Sequence, residues 1–137
     1  MKNERGLTLV ELLAVLAILS VIMTLLGTVL VNGMKASNRT ATNQQLQQEA
    51  NYIMEVVRGK YLEFDNSKEI ELKIDNDKKV LKIDEVIISE GYNYCYNGDC
   101  DVKEIYIDRA IDFEFVMKLK KGDKLSYSIN TTFSKLR

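Results

Sequence analysis

The 137-residue chain has no histidine, no tryptophan and no proline, and only two cysteines. Without histidine it lacks the commonest general base and the commonest metal ligand. Without proline it has neither a Pro-rich linker nor a proline kink. Charge of either sign is not in excess: 19 Lys+Arg face 20 Asp+Glu, a formal net charge of −1. That balance argues against a strongly basic nucleic-acid binder and against an acidic tail. No acid–base pair or activated nucleophile stands out either. Enzymatic activity is therefore not expected, and neither is a metal or other cofactor.

What is present is one long apolar block. Residues 7–31 read LTLVELLAVLAILSVIMTLLGTVLV, and Glu11 is their only ionisable side chain. Leu12 to Val31 gives twenty consecutive residues without a charge, and a helix needs ~20 such residues to cross a bilayer. A buried helix of a soluble core would be shorter and would show a polar face. A secretory signal peptide has a 7–15-residue apolar run and a small-x-small cut site; this run is longer, and no convincing site of that kind follows it. A lipoprotein signal would need a cysteine just after the run, and none is there. Lys2 and Arg5 precede the helix and Lys35 and Arg39 follow it, so flanking charge alone does not orient it.

Residues 5–13, Arg-Gly-Leu-Thr-Leu-Val-Glu-Leu-Leu, distinguish this block from an ordinary anchor. They resemble the N-terminal signature of type IV pilins and the related pseudopilins: a short basic leader, a glycine, an apolar residue, Thr, two apolar residues, Glu, then a long apolar helix. The resemblance covers about the first thirty residues. It implies cleavage between Gly6 and Leu7 by a prepilin peptidase and N-methylation of the new Leu7 amine, although Leu7 stands where Phe is usual. It also implies a single-pass protein of the cytoplasmic membrane, with its N-terminus inside and its head outside, later built into a surface filament. The expected partners are other pilin or pseudopilin subunits, the peptidase, an assembly platform protein and, before assembly, membrane lipid. Physical arguments agree. A glycine at the cut exposes backbone to a protease because it has no Cβ. A carboxylate such as Glu11 inside a bilayer costs ~2.5–3.5 kcal/mol. It could reach the interface or stay protonated; the resemblance implies instead that it pairs with the Leu7 amine of a neighbouring subunit and directs assembly.

The helix should continue past Val31, because Asn32, Gly33 and Asn38 are only weak helix formers. Leu46, Ala50, Ile53, Met54 and Val57 then recur at helical spacing, and Gly59 is the expected stop. Sustained heptads for a coiled coil are missing. Gly27 and Gly33 are soft points or sites of close helix packing. Beyond residue 60 the period becomes two. Ile70, Leu72 and Ile74 alternate with charged residues, Asp75-Asn76-Asp77 supplies a turn, and short runs follow at Val80–Ile83 and Val86–Ile88. Ile111, Phe113, Phe115, Met117 and Leu119 alternate, then Lys121-Gly122-Asp123 turns the chain into Leu125, Tyr127 and Ile129. The expected fold class is α+β: a long N-terminal helix, membrane-spanning in its first half and amphipathic in its second, packed on a small head of five to seven antiparallel strands. The organisation expected is a leader at 1–6, a transmembrane and assembly helix at 7–33, its amphipathic continuation at 34–60 and a β head at 61–137.

Asn97-Gly98 favours a tight turn between Cys95 and Cys100, which would bring the sulfurs together. Outside the cytoplasm a disulfide is expected; half of a metal shell, a free thiol pair and a redox pair are the alternatives. Asp99, Asp101, Glu104 and Asp108 form an acidic cluster in sequence, a solvated surface or, less in keeping with its spacing, a calcium site. Tyr92, Tyr94, Tyr96 and Tyr106 mark a strand face or a contact surface. Lys118, Lys120, Lys121 and Lys124 mark a solvated hairpin tip or a phosphate contact. The leading expectation is a structural subunit, a minor pilin or pseudopilin, since the head is small and the helix proline of many major pilins is missing. The alternative is a binding module, a competence (DNA-uptake) or tip/adhesion pseudopilin, whose DNA version the near-neutral charge leaves unsupported. Nothing in the residues separates protein secretion from competence.

Overall fold

The computed structural model describes residues 8–63 and 69–134, so Gly6 and Leu7 lie outside the described residues. One helix, α1 (Leu9–Leu62), precedes seven strands. These are β1 (Glu69–Asp75), β2 (Val80–Ile83), β3 (Val86–Glu90), β4 (Asn93–Tyr96), β5 (Glu104–Asp108), β6 (Phe113–Lys121) and β7 (Leu125–Phe133). The chain divides into two compact units, Met1–Thr40 and Ala41–Arg137.

In the first unit every described residue is exposed. The helix runs unbroken through Gly27 and Gly33, and a Cβ added at either would meet no other group. The hydroxyls of Ser20, Thr24 and Thr28 fold back onto the carbonyls of Ala17, Ser20 and Leu25 at 2.7–2.8 Å. Their donors are thereby satisfied within the helix, as an apolar surrounding requires. The apolar run ends near residue 33, whereas the packing boundary falls later, because Lys35 to Thr40 still touch no core.

In the second unit α1 buries one stripe: Leu46, Ala50, Ile53, Val57 and Tyr61. Their spacing of three and four keeps them on one face. The helix does not stop at Gly59 as expected but reaches Leu62. A glycine costs a helix ~1 kcal/mol, and burying the Tyr61 ring offsets it. Arg109, itself buried, donates to the Lys60 carbonyl and so caps the last turn with a positive charge.

The strands form two antiparallel sheets, ordered β3-β2-β1-β5 and β4-β6-β7. Alternation fixes their faces: Ile70, Leu72 and Ile74 on β1 are buried, as are Phe115, Met117 and Leu119 on β6. Both inner faces join the α1 stripe in one core. A chain with one apolar face per element has this layered solution open to it. The β2–β3 hairpin turns through Asp84 and Glu85, both at positive φ (46° and 68°). Asp84 donates its N–H to the Glu71 carbonyl, and Glu85 pairs with Lys73, so β1 holds the turn in place. Ile111 departs from the expected strand. It lies in a turn, exposed, and its carbonyl accepts the Tyr61 hydroxyl at 2.8 Å. The cause is Asp108, whose Oδ1 accepts the Ala110 N–H and ends β5 in a tight turn.

Candidate functional site

The helix start is built from two side chains. Thr8 precedes the first helical residue, and its carbonyl accepts the Leu12 N–H at 3.1 Å. Its Oγ1 accepts the Glu11 N–H at 3.3 Å. In return Glu11 Oε2 accepts the Thr8 N–H at 3.0 Å and the Thr8 hydroxyl at 3.1 Å. This is a capping box, with Thr at the N-cap and Glu three residues on. It satisfies donors that the first turn leaves without helical partners. Glu11 therefore has work inside a single chain, a role not expected from its sequence context although Thr8-Leu9-Val10-Glu11 fits the capping pattern. Among the described residues these carboxylate contacts use Oε2.

In the head, Cys95 and Cys100 are joined by a disulfide. The loop turns through Asn97 and Gly98 at positive φ (50° and 85°), the pairing a tight hairpin turn demands. Asn76 braces this loop, and sequence reasoning saw in it only a turn residue. Its amide donates to the carbonyls of Tyr94 (2.9 Å) and Cys100 (2.8 Å), and its Oδ1 accepts the Tyr94 N–H (2.8 Å).

The other expected clusters disperse. Asp99 Oδ1 accepts the Asp101 N–H, Asp108 shapes its own turn, and Glu104 faces Tyr106. Among the described residues no group of three or more acidic or sulfur ligands is placed to hold a metal ion. Of the tyrosines, Tyr94 is fully buried and Tyr92 and Tyr96 are half-buried against the core; Tyr106 alone of these four is open, on β5. Lys121 lies 5.6 Å above the Tyr92 ring and donates to Gln45 of α1 at 3.1 Å, so it closes the core edge rather than serving a ligand.

Tyr94 also anchors a polar chain between elements. Its hydroxyl meets Ser89 Oγ at 2.7 Å, and Ser89 donates to Glu49 of α1 at 2.6 Å. Burial pushes the Tyr94 phenol from 10 up to about 12, against the Ser89 hydrogen bond and with the nearby Glu49 charge. A phenol whose folded pKa lies above its unfolded value supports folding below pH 10 and loses that support as pH rises toward 12. Tyr94→Phe should therefore be about 1 kcal/mol less stable than the unchanged chain at pH 7 but lose less stability between pH 10 and 12. Urea unfolding of the detergent-solubilised chain, followed by circular dichroism, checks this. Parallel alkaline losses in both proteins would remove Tyr94 as the cause.

Residues 1–27 match the family model of the prokaryotic N-terminal methylation motif. Neither the curated proteins nor the solved structures contain a match to the chain. The chain thus carries the N-terminal motif of a type IV pilin-like processed precursor, on a helix long and apolar enough to serve as a single-pass membrane anchor.

Proposed function

We propose that this chain is a minor pilin or pseudopilin, a structural subunit of a type IV pilus-like filament. The observation that carries the reading is the methylation motif at residues 1–27 running directly into the apolar half of α1. A prepilin peptidase removes residues 1–6, and the Leu7 amine is methylated. The subunit waits in the cytoplasmic membrane with its N-terminus inside and its head outside. The Cys95–Cys100 disulfide supports that orientation, since such bonds persist in oxidising compartments. An assembly platform then brings α1 of successive copies together, and the Glu11 carboxylate receives the Leu7 amine of a neighbour. The chain acts by packing, not by catalysis.

Shearing intact cells tests this. The unchanged chain should appear in the sheared filament fraction as well as in the membrane. Maleimide labelling of intact cells should find Cys95 and Cys100 blocked until a reductant is added. A chain confined to the membrane, with thiols that label freely, would contradict both assembly and orientation.

A further inference from the structure

The two sheets turn outer faces of unlike charge to solvent. In the β1–β5 ladder the residues opposite one another are Glu69 and Asp108, Glu71 and Tyr106, and Lys73 and Glu104. Their neighbours Ile70, Leu72, Ile105 and Ile107 are buried, so these pairs point outward. The outward positions of this ladder hold four carboxylates and one ammonium. Glu69 sits directly across from Asp108, a like-charge pairing that weakens a sheet. Tyr106 stands 55% exposed at the centre, its hydroxyl within reach of Glu71 Oε1 (3.2 Å) and Glu104 Oε2 (3.1 Å). An open aromatic ring ringed by carboxylates resembles an interface anchor awaiting a cationic partner.

The outer face of the other sheet carries more cations than carboxylates, with Glu114 the acidic residue among the outward positions of β6. Lys118 and Lys120 alternate with buried Met117 and Leu119 on β6, opposite Ser128 and Ser126 of β7. Lys120 leans toward the disulfide loop, at 3.4 Å from Cys100 Sγ. Lys118 is half-buried on this face, and Lys124 stands exposed at the hairpin tip.

We propose that the acidic β1–β5 face of one copy docks on the Lys118/Lys124 side of the β6–β7 hairpin of the next copy. This rests on the filament reading and names the head contact within it. The two surfaces lie on different sheets, so the contact is heterologous. Such contacts repeat without closing and propagate a filament, whereas a self-complementary patch stops at a dimer. The charges chiefly select the partner and its register, because rim ion pairs contribute more to steering than to affinity.

Charge reversal with co-expression tests the contact. Glu69→Lys with Glu104→Lys makes both faces basic, and Lys118→Glu with Lys124→Glu makes both acidic. Each variant alone should be processed and reach normal membrane levels, with its thiols protected, yet fall ~10-fold or more in sheared filaments. Together in one cell the two variants can alternate, and recovery should return to near the unchanged level. The fourfold variant, with its faces exchanged, should recover too, and the milder Glu69→Gln with Glu104→Gln, which should fall in filaments without reversing any charge, keeps the test decisive if a reversal fails to fold. Normal recovery of the single-face variants, or no rescue by either route while the unchanged chain enters filaments, would overturn the contact. Absence of the unchanged chain from filaments would instead sink the filament reading itself.

Discussion

Glu11→Gln is expected to be cut and held in the membrane like the unchanged chain, yet to fall ~100-fold in sheared filaments. The capping box explains why this substitution isolates the charge. Glutamine at the third helical position can still accept the Thr8 N–H, so the helix start survives. What it cannot do is neutralise an ammonium. In the proposed filament the Leu7 amine of a neighbour would then be buried without its counter-charge, a loss of ~3–5 kcal/mol. That is two orders of magnitude or more in an equilibrium. Glu11→Ala removes the cap as well, costing a further ~1 kcal/mol at the helix start. It should therefore be no better than Glu11→Gln. Quantitative immunoblots of sheared and membrane fractions decide the point. If Glu11→Gln assembles normally and only Glu11→Ala is lost, the carboxylate serves the cap and not a neighbouring subunit.

Gly6→Val should leave the chain uncut. A protease must hold the backbone around the scissile bond in an extended form within reach of its catalytic groups. A branched Cβ at the residue that supplies the reacting carbonyl displaces it, and misplacement of ~1 Å costs ~100-fold in rate. Uncut chain keeps Lys2 and Arg5 ahead of the apolar run and offers no Leu7 amine, so it should collect in the membrane and be missing from filaments. A band of mature size at normal abundance in this variant would show that the cut lies elsewhere.

Much of the fold was visible in the residues because both periods are clean. The Leu46–Val57 stripe and the Ile70–Ile74 alternation each mark the buried face directly. The departures have local physical causes. Gly59 carries a helix-stop signal, but burial of Tyr61 and the Arg109 cap at Lys60 outweigh it. Ile111 continues the strand alternation, yet the Asp108 turn and its bond to Tyr61 take it out of β6. Asn76 and Arg109 act across long sequence separations, on Cys100 and Lys60, and no local pattern announces such partners. At the candidate site the Gly6–Glu11 signature was legible, as was the cysteine turn. The capping contact at Thr8 was not expected, although Thr8 and Glu11 stand at capping-box spacing. The four tyrosines looked like one group, and alternation plus sheet membership separate them, leaving Tyr106 alone outside.

The N-terminus of the mature protein tests the central claim most directly. Protein purified from its native membrane should give, by intact mass and N-terminal peptide mass spectrometry, a chain that begins at Leu7 and carries an added methyl group on its amine. A mature chain still beginning at Met1, in cells whose prepilin peptidase is active, would contradict the account.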